Sequence, residues 1–294
     1  MLNINTNYAA SFASNAAKSS SQGLNSAMEK LSTGMRINYA KDDAAGQAIS
    51  TRLSAEVQGL QMASRNAADA QSMIDTAEGA LQETHNVLLR MRELAVQSAN
   101  GTLTDGDREH TNAEFGQLVQ EITRIAENTT WAGKNLLDGS NYGTGNELSF
   151  QVGEGANQTI SVEIADMKAT ALGASGSGAS AIPPLADATT PADGANLSSA
   201  ANAQLAIQSI DNAIDSVSTA RGKLGAVSNR LSSTMSNLDQ IAVNLSASQG
   251  RIQDADFAQE TGNLAKNQIL QQAATAMIAQ ANASKSSVLT LVRG

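Results

Sequence analysis

Aliphatic residues recur at every seventh position from Ile210 through Val217, Leu224, Leu231, Leu238 and Leu245 to Ile252. A repeat of seven holds one seam of an α-helix against a partner, and Ala213, Ala220, Val227, Ile241 and Ser248 widen that seam three places on. At about 1.5 Å per residue the predicted helix is roughly 60 Å long, so it needs an equally long partner. A second ladder supplies one: Leu60, Ala67, Ile74, Leu81, Leu88 and Ala95, interleaved by Ala63, Ala70, Ala77, Thr84 and Met91, on a helix predicted from about Ala44 to about Ser98. Asn100 and Gly101 end it, and a third helix beginning at Thr104 or Asp105 carries Phe115, Leu118, Val119, Ile122 and Ile125 on one face.

The two ends of the chain carry weaker versions of the same pattern. Ala10, Ser14, Ala17, Ser21, Leu24, Met28, Leu31 and Met35 alternate four and three, and near the other end so do Leu270, Ala274, Met277, Ala281, Ser284, Val288 and Leu291. Gly34 interrupts the first seam, and the polar stretch RINYAKDD (36–43) predicts an ordered connector whose Asp42 or Asp43 caps the next helix. An acidic start at 253–256 does the same for the last helix. Pairing the ends occupies one side of each and leaves apolar positions such as Ile269, Ile278 and Leu289 for neighbours. Leu24, Met28, Leu31, Leu270, Met277, Val288 and Leu291 are therefore the expected self-assembly seams. Leu60, Ile74, Leu81, Leu88, Val217, Leu224, Leu231, Leu238 and Leu245 are the expected core of a rod.

Between these helices the period changes from seven to two. Residues 130–141 read as a loop containing the only tryptophan, Trp131, and 147–152 and 159–164 alternate polar and apolar around a GEGAN turn, which predicts a β-hairpin. Residues 172–197 are rich in Ala, Gly, Ser and Thr and hold all three prolines, Pro183, Pro184 and Pro191, so they read as an exposed, mobile surface segment. The predicted fold is mainly α: a long helical coiled-coil rod with paired terminal helices and a small β-hairpin region.

Composition narrows the function classes. Only 3% of the 294 residues are aromatic, which predicts a slender bundle and not a thick core. A net charge of −9 without a basic stripe argues against a nucleic-acid partner. Cysteine is absent, which excludes disulfides, thiolate zinc sites and cysteine nucleophiles. No stretch has the apolar length of a membrane span, and the N-terminus lacks the charged and apolar regions of a secretory signal, so an extracellular location would require export without a cleaved signal peptide. His85 and His110 fall on separate helices without an HExxH motif, and the Asp42 with Asp43 and Asp254 with Asp256 pairs sit where helices need caps. Neither set points to catalysis, a metal or a cofactor.

Several stretches resemble the bacterial flagellins: EKLSTGMRINYAKDDAAGQAIS (29–50), LLRMRELAVQSANGT (88–102), NTTWAGKNLLDGS (128–140), LGAVSNRL (224–231), RIQDADFAQET (251–261) and ILQQAATAMIAQAN (269–282). The resemblance covers roughly residues 3–170 and 197–293. It implies a subunit that polymerises into the flagellar filament of swimming bacteria, exported unfolded through the flagellar type III apparatus to the cell exterior. Residues 1–43 and 254–294 would be the filament-core helices and 44–140 and 201–253 the rod. Residues 141–200 would hold the hairpin and a variable segment standing where other flagellins carry large outer domains. Implied partners are further copies of the chain, an export chaperone, hook-associated junction and cap proteins, and a host Toll-like receptor that reads the monomer. Arg90, Leu94 and Glu114 match the family's receptor-contact positions. Ser228, Asn229 and Arg230 depart slightly from the family pattern, as do Ser284 and Lys285. A hook-filament junction protein shares similar ends, and soluble helical signalling rods share Ala/Ser/Gln-rich heptads; both are alternative readings.

Overall fold

The computed structural model describes residues 6–139, 147–174, 183–186 and 194–293, with side chains described as far as residue 287. Among the described residues, five helices carry most of the chain: α1 (Tyr8–Thr33), α2 (Ala44–Ser98), α3 (Asp105–Asn128), α4 (Ala200–Gln253) and α5 (Phe257–Arg293). Two antiparallel strand pairs accompany them, β1 (Thr130–Trp131) with β2 (Lys134–Asn135) and β3 (Glu147–Gln151) with β4 (Thr159–Glu163). The chain forms two compact units, one of residues 1–58 with 243–294 and one of residues 59–242. The fold is mainly α, with paired terminal helices and a β-hairpin.

Helix boundaries follow capping chemistry. Gly34 adopts a left-handed conformation (φ 74°) after α1 and its N–H reaches the Lys30 carbonyl. Of the two aspartates before α2, Asp43 is the cap, its Oδ1 accepting from the Gly46 N–H at 2.9 Å, while Asp42 accepts from the Asn38 and Tyr39 N–H groups and ties up the connector. Those backbone bonds, Tyr39 first, hold the Asp42 carboxyl below its ordinary range. Thr104 caps α3 in a reciprocal box with Asp107. Asp256 caps α5 by accepting from the Ala258 N–H at 2.8 Å.

The unit of residues 59–242 has a continuous apolar core. Leu60, Ile74, Leu81 and Leu88 of α2 are buried, as are Val217, Leu224, Leu231 and Leu238 of α4, with Phe115 and Ile122 entering from α3. Leu245 is the exception among the predicted core residues: it belongs to the other unit and is only half-buried. The heptad continues in sequence past the end of the core it serves.

Beside the apolar seam runs a polar one that hydrophobic patterning does not detect. Ser64, Gln71, Glu78, His85 and Arg92 repeat every seven residues along α2. Ser64 donates to Asp239 (3.1 Å), Gln71 to Ser228 (2.8 Å) and Arg92 to Asp211 (2.7 Å), while Glu78 accepts from Arg221 (2.8 Å). Aliphatic ladders tolerate a slip of one heptad; these polar pairs do not, so they fix the register of α4 on α2. His85 is the odd member, with a buried Nδ1 that has no hydrogen-bond partner among the described residues.

Buried Arg108 closes the turn between α2 and α3. Its Nε and Nη2 donate to the carbonyls of Ser98 and Asn100 at 3.0 Å each, and its Nη1 to Asp105 at 3.2 Å. The guanidinium thus satisfies backbone acceptors at the end of a 55-residue helix that has no basic residue of its own in its last turn.

The β-hairpin has the predicted strands, with Phe150 opposite Ile160 and Leu148 opposite Val162, the apolar side packed on the helical core. Two expectations fail. Residues 130–135 are not a plain loop but a two-residue hairpin, in which Ala132 (φ 49°) and Gly133 (φ 79°) both take the positive φ of a primed turn. The low-complexity segment, where described, is not a mobile surface either. Leu172, Leu185 and Leu197 are buried. Leu185 N–H bonds to the Leu172 carbonyl, Ala186 N–H to Ala169, and Ala195 N–H to Pro184, while the Ser209 hydroxyl donates to the Pro183 carbonyl. Gly173 (φ 86°) lies so close to α4 that an added Cβ would stand 2.7 Å from the Ser209 carbonyl oxygen. Three leucines among many small residues anchor the stretch, which a compositional average conceals. Pro191 and the rest of the segment lie outside the described residues.

Candidate functional site

In the unit of residues 1–58 and 243–294, α1 and α5 pack antiparallel. Lys30 donates to Glu260 at 3.5 Å, and Asn7 donates to the Ala281 carbonyl at 3.2 Å. Asn7 also caps α1, its Oδ1 accepting from the Ala10 N–H. Midway, a Cβ on Gly23 would stand 2.8 Å from the Asn267 side chain, so the helices approach closely there and a larger residue would have to push that side chain aside. The two connectors pair as well: Arg36 N–H bonds to the Gln253 carbonyl (2.7 Å), Ala255 N–H to Gly34 (2.9 Å), and the Arg36 guanidinium to the Ile252 carbonyl (2.7 Å). Ser50 donates to Gln253 at 2.7 Å, locking the start of α2 to the end of α4.

The inner face of this pair is built from small residues. Ala13, Ser20 and Ala27 of α1 and Ala274 and Ala281 of α5 are buried, flanked by half-buried Leu24, Leu31, Leu264 and Ile278. The described residues among the expected self-assembly seams divide between the two faces of the pair. Leu24 and Leu31 do face the partner helix, but Met28, Leu270 and Met277 turn to solvent, and Ile278, expected outside, turns in. Small side chains permit close approach of two helices, and the larger apolar ones are displaced to the flanks, where Leu270 and Met277 sit one heptad apart. Val288 and Leu291, with Leu289, lie outside the described side chains.

The result is an apolar exterior that the unit does not use. Tyr8 is 71% exposed, Phe12 74%, Ile269 66% and Met277 60%, with Met28, Phe257 and Leu270 also exposed. Scattered apolar residues are normal on a surface, but this density on two paired helices with so thin a core marks a surface meant to be covered.

A second candidate surface lies on α2 and α3. Arg90 donates through Nε (3.0 Å) and Nη2 (2.8 Å) to one Glu114 oxygen and through Nη1 (3.0 Å) to Glu93. The Glu114 and then the Glu93 carboxylates push the guanidinium further above its ordinary range, so its charge is permanent. The structure brings Arg90 and Glu114 together on an exposed face. Leu94 is not on that face: it is 2% exposed and packs in the core, three residues on from buried Met91 and next to buried Ala95. Exposed Leu89 and Val96 provide the apolar character there, and neither stood out as a heptad position. Among the described residues, no cluster of His, Cys, Asp or Glu could hold a metal ion, and no helix is long and apolar enough to cross a membrane.

Residues 4–142 match the bacterial flagellin N-terminal helical region, and residues 207–292 match the bacterial flagellin C-terminal helical region. The chain belongs to the bacterial flagellin family. It is 44% identical to a flagellin of Bacillus subtilis strain 168, over 99% of this chain and all of that protein. It is 40% identical to the flagellar filament 33 kDa core protein of Treponema phagedenis, over 99% of each. The crystal structure of Bacillus cereus flagellin is 30% identical, covering 63% of this chain and 94% of that one with a TM-score of 0.48. As a member of a structural family, this flagellin is a flagellar filament subunit. The family is not one of enzymes.

Proposed function

We propose that this flagellin polymerises with itself through the large apolar side chains that α1 and α5 leave in water, and that the resulting extracellular filament serves swimming motility. The observation that carries this reading is the arrangement of the terminal pair, with small residues inside and Tyr8, Phe12, Met28, Phe257, Ile269, Leu270 and Met277 outside. Burying each of these between subunits is worth on the order of 1.5–3 kcal/mol, repeated at every subunit of a polymer. Before assembly the same side chains need cover, which is the place for an export chaperone, and hook-associated junction and cap proteins would meet them at the two ends of the filament. Electron microscopy of the purified chain tests the reading: long filaments from this chain alone are expected, whereas a junction protein would form none. Chains trimmed of residues 1–30 or 265–294 should remain helical monomers. Filaments from both truncations would overturn the assignment.

The exposed Arg90 and Glu114 face fits recognition of the monomer by a host Toll-like receptor, with Leu94 supporting the helix from behind. Replacing Arg90 with Ala should weaken receptor signalling by monomers strongly while leaving the monomer's circular dichroism unchanged. Unaltered signalling would remove this part of the proposal.

A further inference from the structure

The chain has no cysteine, so its nine methionines are its only sulfur, and they are the groups a mild two-electron oxidant reaches first. Their environments differ sharply. Met73, Met91 and Met167 are buried at 2% exposure or less, and Met35 and Met235 are half-buried. Three described methionines are open to water: Met62 on α2, Met28 on α1 and Met277 on α5. Two of the three therefore lie on the apolar exterior of the terminal pair.

We propose that Met28 and Met277 form an oxidation site that sets the assembly competence of the monomer, an inference that rests on the self-assembly reading above. In the reaction a thioether sulfur attacks the O–O bond of hydrogen peroxide. The S–O bond forms as the O–O bond breaks, one oxygen passes to sulfur, and the other leaves as water after proton transfer. Sulfur is oxidised by two electrons and peroxide is reduced by two. The product sulfoxide carries a strong dipole in place of an apolar, pliable chain.

The consequence follows from where the two sulfurs stand. Met28 is 53% and Met277 60% exposed in the monomer, so a sulfoxide at either place stays hydrated and the α1–α5 pair, whose inner face is alanine, loses nothing. Once such a surface is covered by another copy, the same dipole must be stripped of water without a designed partner. The modification thus penalises the assembled state alone. Linkage makes the effect reciprocal: assembly should shield both sulfurs from the oxidant. Repair by a methionine sulfoxide reductase would restore competence, so the site is reversible.

The test uses the full-length chain and hydrogen peroxide, with peptide mass spectrometry reading each methionine and sedimentation reading the critical concentration. Treated wild type is expected to carry sulfoxide at 28 and 277, to keep its monomer helicity, and to need about tenfold more protein to polymerise. The Met28→Leu, Met277→Leu chain, which retains Met62, should polymerise alike before and after treatment. In preformed filaments, positions 28 and 277 should oxidise several times more slowly than in monomers. Wild type oxidised at both positions with an unchanged critical concentration would overturn the proposal, as would equal loss of assembly in the leucine variant. An untreated chain that never polymerises would instead overturn the self-assembly reading.

Discussion

The two compact units use the same seven-residue repeat to opposite ends. In residues 59–242, leucine, isoleucine, phenylalanine and methionine interleave with alanine on the seam and are almost wholly withdrawn from water, and polar side chains at the same spacing set the register. In residues 1–58 with 243–294, buried alanine and serine line the seam with half-buried Leu24, Leu31, Leu264 and Ile278 beside them, and many of the large apolar side chains lie outside it. The first unit encloses a continuous apolar core of its own. The second holds itself together through backbone bridges, caps and close helix approach, and leaves Tyr8, Phe12, Met28, Ile269, Leu270 and Met277 in water. A heptad repeat by itself states that a helix has a partner; the size of the residues on the seam states how much apolar side chain is left over for a further one.

This contrast can be broken most directly on the exposed flank. Leu270→Gln with Met277→Gln should abolish filaments in electron micrographs while the monomer's helicity stays at the wild-type level, because both side chains are exposed in the subunit. Loss of monomer helicity would mean the flank serves the subunit after all. A core replacement should do the reverse. Leu88 is fully buried, so Leu88→Ala should cost about 2–5 kcal/mol in urea unfolding of the monomer, against well under 1 kcal/mol for the flank variants. Equal costs would erase the distinction between the units.

Smaller effects sharpen it. Arg108→Met removes three charge-assisted hydrogen bonds and leaves the Ser98 and Asn100 carbonyls without this donor, at a cost of about 2 kcal/mol in the same measurement. A neutral result would show that the end of α2 finds other donors. The smallest effect is electrostatic. Hydrogen bonding to the Thr104 side chain, then to its backbone, lowers the Asp107 carboxyl below its ordinary 3.8. The capping contribution is thus complete above that value and is lost as pH falls below it. Asp107→Asn should remove that part of the acid dependence of α3 unfolding, and an unchanged pH profile would contradict it.

Much of this was legible in the sequence. The heptads of α2 and α4, caps within a residue or two of Asp43, Thr104 and Asp256, and the alternation of β3 and β4 announce themselves because each is a local rule with a fixed spacing. The bundle core from Leu60 to Leu88 and from Val217 to Leu238 follows from them. The α2–α4 polar column has the same seven-residue spacing, but hydrophobicity gives it no signal. Less legible were positions that local spacing leaves undecided. Leu94 carries a receptor-motif match, yet only the rotation of α2 against α3 and α4 shows that it points inward.

What the sequence by itself determined is the set of helices, their lengths, their pairing by equal ladders and the family to which the chain belongs. Periodicity and capping are properties of neighbouring residues, so no fold is needed to read them. Only the tertiary structure decided which seam of each terminal helix is used inside the subunit, that Leu172, Leu185 and Leu197 draw a low-complexity segment into the core, and that Arg90 and Glu114 meet. Those outcomes depend on how closely two backbones approach, which Gly23 and the alanines of α1 and α5 permit, and on contacts between residues far apart in the chain. Hydrophobicity ranks Leu270 and Met277 above Ala274 and Ala281, and packing reverses the order.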